Sequence, residues 1–377
     1  MTNQEFQCHQ CGEIFIVRSE DNARSHNYCP ICRKKYYEQK MLEEKQREDI
    51  AWQKKHEQDV LLFEENLREW NLLSLEEMGE SVKEGSLYVI GNGFDMLHGV
   101  RSNYYDFSRT LGKRSSVRFY LEKYLKTDDL WADFEGALGK INIEAMCQPY
   151  IIDNFLDING AYDEDAGAAE IYMSAEMAVG PIISMSTELM DRFRKWICSL
   201  HTNTDDRPLS DIIKDGKVLN FNYTEFVEDL YGMDAGNICY IHGCRKKTGK
   251  ERQRLILGHI PGANDEAYDF EDDYSGIDDL DEHGQLLYDV QQIALQMAIE
   301  ADDALTKKCG EIIQNNQAFF HGLSDIRQIV TIGHSLYPVD WDYFAEIIKC
   351  NKDRNRIQWF FGCYGNGDLE RVQTFIN

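Results

Sequence analysis

The sequence predicts an α/β fold: a parallel sheet with a large helical insertion, preceded by a small cysteine-rich module. Short apolar runs alternate with segments of helical spacing along most of the chain. Four of those runs end in polar motifs. Ser86–Ile90 leads into Gly91-Asn92-Gly93-Phe94-Asp95, and Val218-Leu219 into Asn220-Phe221-Asn222-Tyr223-Thr224. Ile238–Ile241 leads into His242-Gly243, and Ile329–Ile332 into Gly333-His334-Ser335-Leu336. Ligands of open α/β sheets bind beyond the carboxyl ends of the strands, so four such ends can converge on one pocket. The expected architecture is therefore Rossmann-like.

The elements follow in order. Cys8-x2-Cys11 and Cys29-x2-Cys32 are separated by 17 residues, the spacing of a ribbon whose two tight turns each give two thiolates to one tetrahedral zinc. Four thiolates close the coordination sphere, so this zinc is structural. The ribbon spans 1–33. From 34 to 82 the chain is charged, lacks proline and carries a thin apolar stripe that includes Leu42, Trp52, Leu62 and Trp70. It suits a spacer, a dimerising coiled coil or a helix packed on the main domain. That domain spans 83–377, with a helical insertion at about 103–210. Helical spacing covers Tyr104–Leu111, Val117–Leu125, Leu130–Leu138 and Ala168–Leu200, the last expected to kink or break at Gly180-Pro181. A helix is expected over Thr224–Tyr231 and a strand end at Leu255–His259. The stretch from Asp265 to His283 holds ten carboxylates and suits a solvated loop, a lid or a docking surface. Leu286–Gln314 reads as one long helix, Asp340–Cys350 as another, and Ile357–Phe361 as a last strand.

Composition narrows the function. The net charge of the 377 residues is −26, and 43% of them are hydrophobic. That is enough apolar content for a core. It is the wrong sign for broad binding to nucleic acid or anionic membrane, though it leaves room for one local basic patch. No apolar run reaches the roughly 18 residues of a membrane span, and Met1–Glu5 begins no signal peptide. A cytoplasmic location follows, where cysteines stay reduced. Of the 11 cysteines, the seven outside the ribbon show no ligand spacing and suit buried free thiols.

The strand-end motifs suggest chemistry, each beside a plainer role. Gly91-Asn92-Gly93 can cradle a diphosphate at a helix N-terminus, or simply make a tight turn. Asn222 can hold ribose hydroxyls or orient a water, or it can cap the following helix. His242 can act as a general base near neutral pH, or serve the fold alone. Gly333-His334-Ser335-Leu336 approaches the nucleophile elbow of serine hydrolases, but Tyr337 replaces the closing glycine and no histidine follows Ser335. Serine hydrolysis is excluded.

Leu87–Gly99 resembles the signature of the AbiH family, bacterial abortive-infection proteins of phage defence. Trp131–Glu135, Asn220–Thr224, Ile241–Gly243 and Gly333–Phe344 are similar to that family as well. The same motifs resemble, more distantly, the sirtuin-like NAD-consuming fold. The resemblance implies that Gly91 and Gly93 form the NAD diphosphate turn, with Asn92, Phe94 and Asp95 beside them among the nucleotide-binding residues; a carboxylate at Asp95 would repel a diphosphate unless it met ribose or a metal. It makes Asn222 the ribose- or water-orienting residue and His242 the base. Gly333 and Ser335 would contact the nucleotide from the adenosine side, and Asp340 would join the nucleotide-binding residues. Two departures matter. Asp95 stands where sirtuins carry a small hydroxyl residue, and no cysteine pairs lie between His242 and Gly333, where deacylating sirtuins keep their zinc module. NAD cleavage is favoured over deacylation. The expected function is an anti-phage effector that hydrolyses the nicotinamide–ribose bond of NAD. The alternatives are a nucleotide-sensing or partner-binding protein without chemistry, and a metal-dependent nuclease using Asp95. The ribbon and helix would serve a second copy or another defence protein.

Overall fold

The computed structural model describes residues 3–18, Cys29, part of 31–54, and 75–377 apart from 143–167, 203, 247–253 and 266–281. The chain divides into two units, Met1–Leu72 and Leu73–Asn377. Most of the expected linker, and the acidic stretch after Asp265, lie outside the described residues.

In the first unit, β1 (Asn3–Gln7) pairs antiparallel with β2 (Ile14–Arg18). The turn between them brings Gly12 N–H to Cys8 O at 2.9 Å and Cys8 N–H to Glu13 O at 2.8 Å. Gly12 takes the left-handed conformation this turn needs, with φ at 75°.

The second unit is built on β3 (Ser86–Ile90), β4 (Gly216–Asn220), β5 (Ile238–Tyr240), β6 (Gln328–Ile332) and β7 (Gln358–Gly362). The strands are parallel, in the order β5-β4-β3-β6-β7. The chain starts at the central strand, builds outward to one side, then crosses to the other. The order therefore reverses between β3 and β6, and a crevice opens at their carboxyl ends. Both faces are covered, which explains the near-continuous apolar strands. Tyr88, Ile90, Val218 and Val330 join the core of the helical insertion, whereas Leu87, Val89, Leu219 and Ile329 pack with Tyr343, Phe344 and Ile347 on the other face.

Helix α1 (Leu75–Ser81) buries Met78 against this unit. Helix α2 (Asn92–Leu97) follows β3 directly, and the insertion contributes α3 (Tyr104–Leu111), α4 (Ser116–Tyr124), α5 (Phe134–Leu138) and α6 (Ala168–Ser199). Asn103, Ser115 and Asp133 cap α3, α4 and α5 through their side chains, and the cap at Asp133 makes α5 shorter than the Leu130–Leu138 expected. Of the kink or break expected at Gly180-Pro181, the break does not occur: α6 runs through Pro181 over 32 residues. Gly180 has no Cβ to meet the proline ring. Ala178, Val179, Ile182 and Met185 bury the stretch on both sides of it, so packing outweighs one lost hydrogen bond.

Two further expectations are corrected together. Leu255–His259 is not a strand, and Leu286–Gln314 is not one helix. Helix α7 (Phe226–Tyr231) follows β4, and α8 (Glu282–Asp303) ends well before α9 (Cys309–Asn315) and α10 (Gln317–His321). Leu255–His259 spends its backbone hydrogen bonds elsewhere, Ile256 N–H on His242 O at 2.9 Å and His259 N–H on Leu305 O at 3.0 Å. Lys307 N–H returns to His259 O at 2.8 Å. This exchange interrupts the helical period at 304–308 and turns Lys307 inward. Helices α11 (Trp341–Cys350) and α12 (Asn366–Ile376) flank β7.

The β3 and β6 ends touch backbone to backbone. Gly91 N–H donates to Ile332 O at 3.0 Å, and Gly93 N–H to Gly333 O at 2.8 Å. A Cβ on Gly93 would lie 2.7 Å from Gly333 Cα. One on Gly333, whose φ is 64°, would run into Phe94 N and Gly93. The glycines are thus required by the contact between the two loops. Gly93→Ala and Gly333→Ala are expected to destabilise the unit by more than about 1 kcal/mol each. A melting temperature unchanged in both variants would contradict this packing.

Candidate functional site

The four strand ends line one cavity of about 580 Å3 at the crevice. Gly91, Asn92, Gly93 and Asp95 border it from the β3 end, Asn222 from β4, His242 from β5, and Gly333, Ser335 and Asp340 from β6 onward. Phe94, expected among the nucleotide contacts, does not join them. Its apolar ring is fully buried beside His98 and Tyr231, at centroid distances of 4.4 and 5.7 Å.

Asp95 and Asn222 face each other. Asn222 Nδ2 donates to Asp95 Oδ1 at 2.8 Å and to Gly91 O at 3.0 Å, and Thr224 Oγ1 donates to Asp95 Oδ2 at 2.6 Å. Burial pushes the Asp95 carboxyl up to about 7, against the pull of Thr224 and Asn222. Asn222 does not cap α7, whose N-cap, Glu225, makes no side-chain cap bond. Instead Asn220 shapes the turn, accepting from Asn222 N–H at 2.9 Å and donating to Thr224 O at 3.2 Å. The Asn220 role is one the sequence reading missed.

His242 sits beside Asp340, with Nε2 3.5 Å from Oδ1. Nε2 is buried and has no hydrogen-bond partner. Burial, reinforced by the nearby Lys307 charge, holds the imidazole well below its usual pKa, so it is neutral at pH 7. His334 approaches Asp340 from the other side, Nε2 to Oδ2 at 3.4 Å. Leu336 N–H donates to His334 Nδ1 at 2.9 Å, which places the ring proton on Nε2, toward Asp340. Leu336 adopts a left-handed backbone to make that bond, with φ at 56°.

Two residues without a sequence-derived role complete the cluster. Lys307 is fully buried, with Nζ 2.6 Å from Glu135 Oε2 and 3.1 Å from Asp340 Oδ1. Desolvation disfavours the Lys307 charge, but the two carboxylates more than restore it and raise its pKa. Desolvation likewise opposes ionisation of Asp340, yet Lys307 and the two histidines hold its carboxyl well below the usual range. Glu135 goes the other way: burial pushes it up to about 7, Lys307 only partly opposes this, and the Asp340 charge adds to it. Glu135 lies on the first turn of α5, behind the Asp133 cap, and borders the cavity. It belongs to the Trp131–Glu135 motif quoted above, and that was its only signal. Lys307 had none, because a lysine between helical segments is ordinarily solvated.

Aromatic side chains, among them Trp131, Phe221, Tyr223 and Tyr337, supply flat faces in the wall. Among the described residues that border the cavity, Arg371 is the only lysine or arginine. It pairs with Asp368 and lies 5.8 Å from the Tyr337 ring centroid.

In the first unit, the sulfurs of Cys8, Cys11, Cys29 and Cys32 all lie within 4.8 Å of one another. Cys11 Sγ and Cys29 Sγ are 3.8 Å apart. Two thiolates on one zinc at about 2.3 Å each would be separated by about that edge of a tetrahedron. The cluster can hold a metal such as zinc. Among the described residues, no helix is long and apolar enough to cross a membrane.

A family model described as Bacteriophage abortive infection AbiH matches residues 87–362. No curated protein and no solved structure matches the chain. The matched span takes in Glu135, Asn222, His242, Lys307 and Asp340 and stops short of Arg371. Lys307→Met should destabilise the second unit by about 3–5 kcal/mol, because it leaves two buried carboxylates without their cation. Asp340 would then join Glu135 in holding a proton more tightly folded than unfolded, so the loss should be larger at pH 8 than at pH 5. Urea unfolding at the two pH values measures the difference, and an equal loss at both would contradict the ion cluster.

Proposed function

The chain belongs to the AbiH family of bacteriophage abortive-infection proteins, and from that premise we propose that it is an anti-phage effector that cleaves a nucleotide. The reaction proposed is hydrolysis of an N-glycosidic bond, with the nicotinamide–ribose bond of NAD as first candidate. One observation carries this reading: a neutral, buried imidazole with an unpartnered Nε2 meets an ionised carboxylate in a cavity at the strand switch point. The bond breaks through an oxocarbenium-like state that water must capture. In this scheme His242 takes the proton of that water, and Asp340 stabilises the imidazolium that forms. The aromatic walls would stack the base. Arg371 would receive phosphate in a chain otherwise rich in acid.

The cavity volume falls within the roughly 300–1,000 Å3 of small-molecule sites. Asp95 is a poor candidate for a nuclease metal, since both carboxylate oxygens already accept hydrogen bonds from Asn222 and Thr224. A nucleotide sensor without chemistry is the second reading. It is favoured by the engagement of Asn222 and the glycine turn within the protein, as struts rather than open ligands.

We further propose that the four cysteines hold one structural zinc, and that the ribbon serves recognition or assembly. Metal analysis of unchelated protein should give about one zinc per chain, and a value well below that would remove the proposal. For the main site, purified protein is incubated with NAD, with and without extract of phage-infected cells, and free nicotinamide is followed. His242→Ala should reduce release by about 10²–10⁴-fold while leaving the melting temperature within a few degrees. Arg371→Ala should raise KM with little change in kcat, as expected for a contact made equally in ground and transition states. NAD left intact under both conditions would favour the sensor.

A further inference from the structure

The buried ion cluster holds two carboxylates and one lysine. Lys307 Nζ is shared between Glu135 Oε2 at 2.6 Å and Asp340 Oδ1 at 3.1 Å, and both carboxylates border the cavity. One cation does not neutralise two buried anions. The least costly remedy is a proton on one of them, and the surroundings choose which. Asp340 also faces His334 Nε2–H at 3.4 Å and lies beside His242. Glu135 meets only Lys307 among the ion pairs of the described residues. The proton therefore sits on Glu135, and Asp340 stays ionised. A pair of carboxyl groups driven apart in this way, in one cavity, has the form of an acid and an anion with separate roles.

NAD has little use for such an acid. Nicotinamide leaves NAD as a neutral molecule, so its departure needs no proton. A purine leaves a neutral nucleotide with an extra electron pair on its ring nitrogen, and protonation makes that departure possible. We infer that Glu135 is the proton donor to a leaving base, and that the substrate class of this cavity extends to purine nucleotides. The inference rests on the glycosidic-cleavage reading given above and widens its substrate. The step balances. The C1′–N bond breaks, and its electron pair goes to the purine nitrogen, which takes the Glu135 proton. Water oxygen bonds to C1′, and the water proton goes to His242 Nε2. Products are the free base and the ribose phosphate. Proton transfer from His242 back to Glu135 through solvent resets the site, with Lys307 holding both carboxylates in place as a positioning residue.

The test uses the full chain with AMP and NAD in parallel, in the presence of infected-cell extract, with His242→Ala as the blank. Free adenine from AMP and free nicotinamide from NAD are measured between pH 5 and 9. Wild type should release adenine from AMP at a rate that falls as pH rises through about 7, where Glu135 loses its proton. Glu135→Gln should lower adenine release at least tenfold more than nicotinamide release, because only the purine needs the acid. Nicotinamide release without adenine release overturns the inference and leaves NAD cleavage standing. Release of neither base overturns both.

A measurement of stability checks the proton itself. Glu135 has a folded pKa raised above the unfolded value of about 4.3. Its stabilising contribution is complete below that value and is lost as pH climbs through about 7. The melting temperature of Glu135→Gln relative to wild type should therefore improve as pH rises from 5 to 8. A constant difference across that range would mean that Glu135 holds no such proton.

Discussion

A single buried ammonium group organises the site. Lys307 joins three segments that are far apart in sequence: α5 through Glu135, the interrupted stretch after α8 that carries Lys307 itself, and the turn before α11 through Asp340. Removing a charge from water costs several kcal/mol, so the lysine is tolerated only where anions compensate it closely. The compensation is uneven. Asp340 gains two histidines as further neighbours, whereas Glu135 gains none among the described ion pairs. Burial raises Glu135, and this asymmetry keeps Asp340 from following it, so two chemically equivalent carboxyl groups separate into an anion and an acid near neutral pH. Helix interruption at 304–308 is part of the same arrangement, since a continuous helix would not deliver Lys307 to this depth.

The second constraint is backbone contact at the switch point. Two loops from β3 and β6 approach so closely that neither Gly93 nor Gly333 has room for a Cβ. The amides of Gly91 and Gly93 are used in that contact. Glycines after a first strand are usually explained by a phosphate that must come close. Here the close neighbour is the protein. The three glycines border the cavity with backbone alone, while Glu135, His242 and Asp340 bring ionisable side chains to it from other elements.

Charge works on two scales. The whole chain is strongly acidic, which disfavours long polyanions at its surface. Within the cavity the picture is local: a buried cation behind two carboxylates, and Arg371 at the border. A small ligand responds to the local arrangement, in which Arg371 is paired with Asp368 in a wall that also carries Asp95, Asp133, Glu135 and Asp340, more than to remote charges that salt screens. A net charge therefore constrains macromolecular partners far more than it constrains a nucleotide.

By itself the sequence determined the parallel α/β class, the order of the strands' polar ends and their meeting at one cavity. Apolar runs terminated by glycine, asparagine and histidine are local patterns, and the rule that ligands gather at strand carboxyl ends supplies the rest. It also determined the four-cysteine cluster, because two short knuckles encode it in spacing alone. Tertiary structure decided what local pattern cannot. Packing carried α6 through Gly180-Pro181, and a hydrogen-bond exchange between Leu255–His259 and Leu305–Lys307 dissolved an expected strand and split an expected helix. Phe94 went to the core and Asn222 to a strut on Asp95. The pairing of Glu135 with Lys307 joins residues 172 positions apart. Protonation there depends on burial and on neighbours brought from elsewhere in the chain, and neither is a property of the residues' own sequence surroundings.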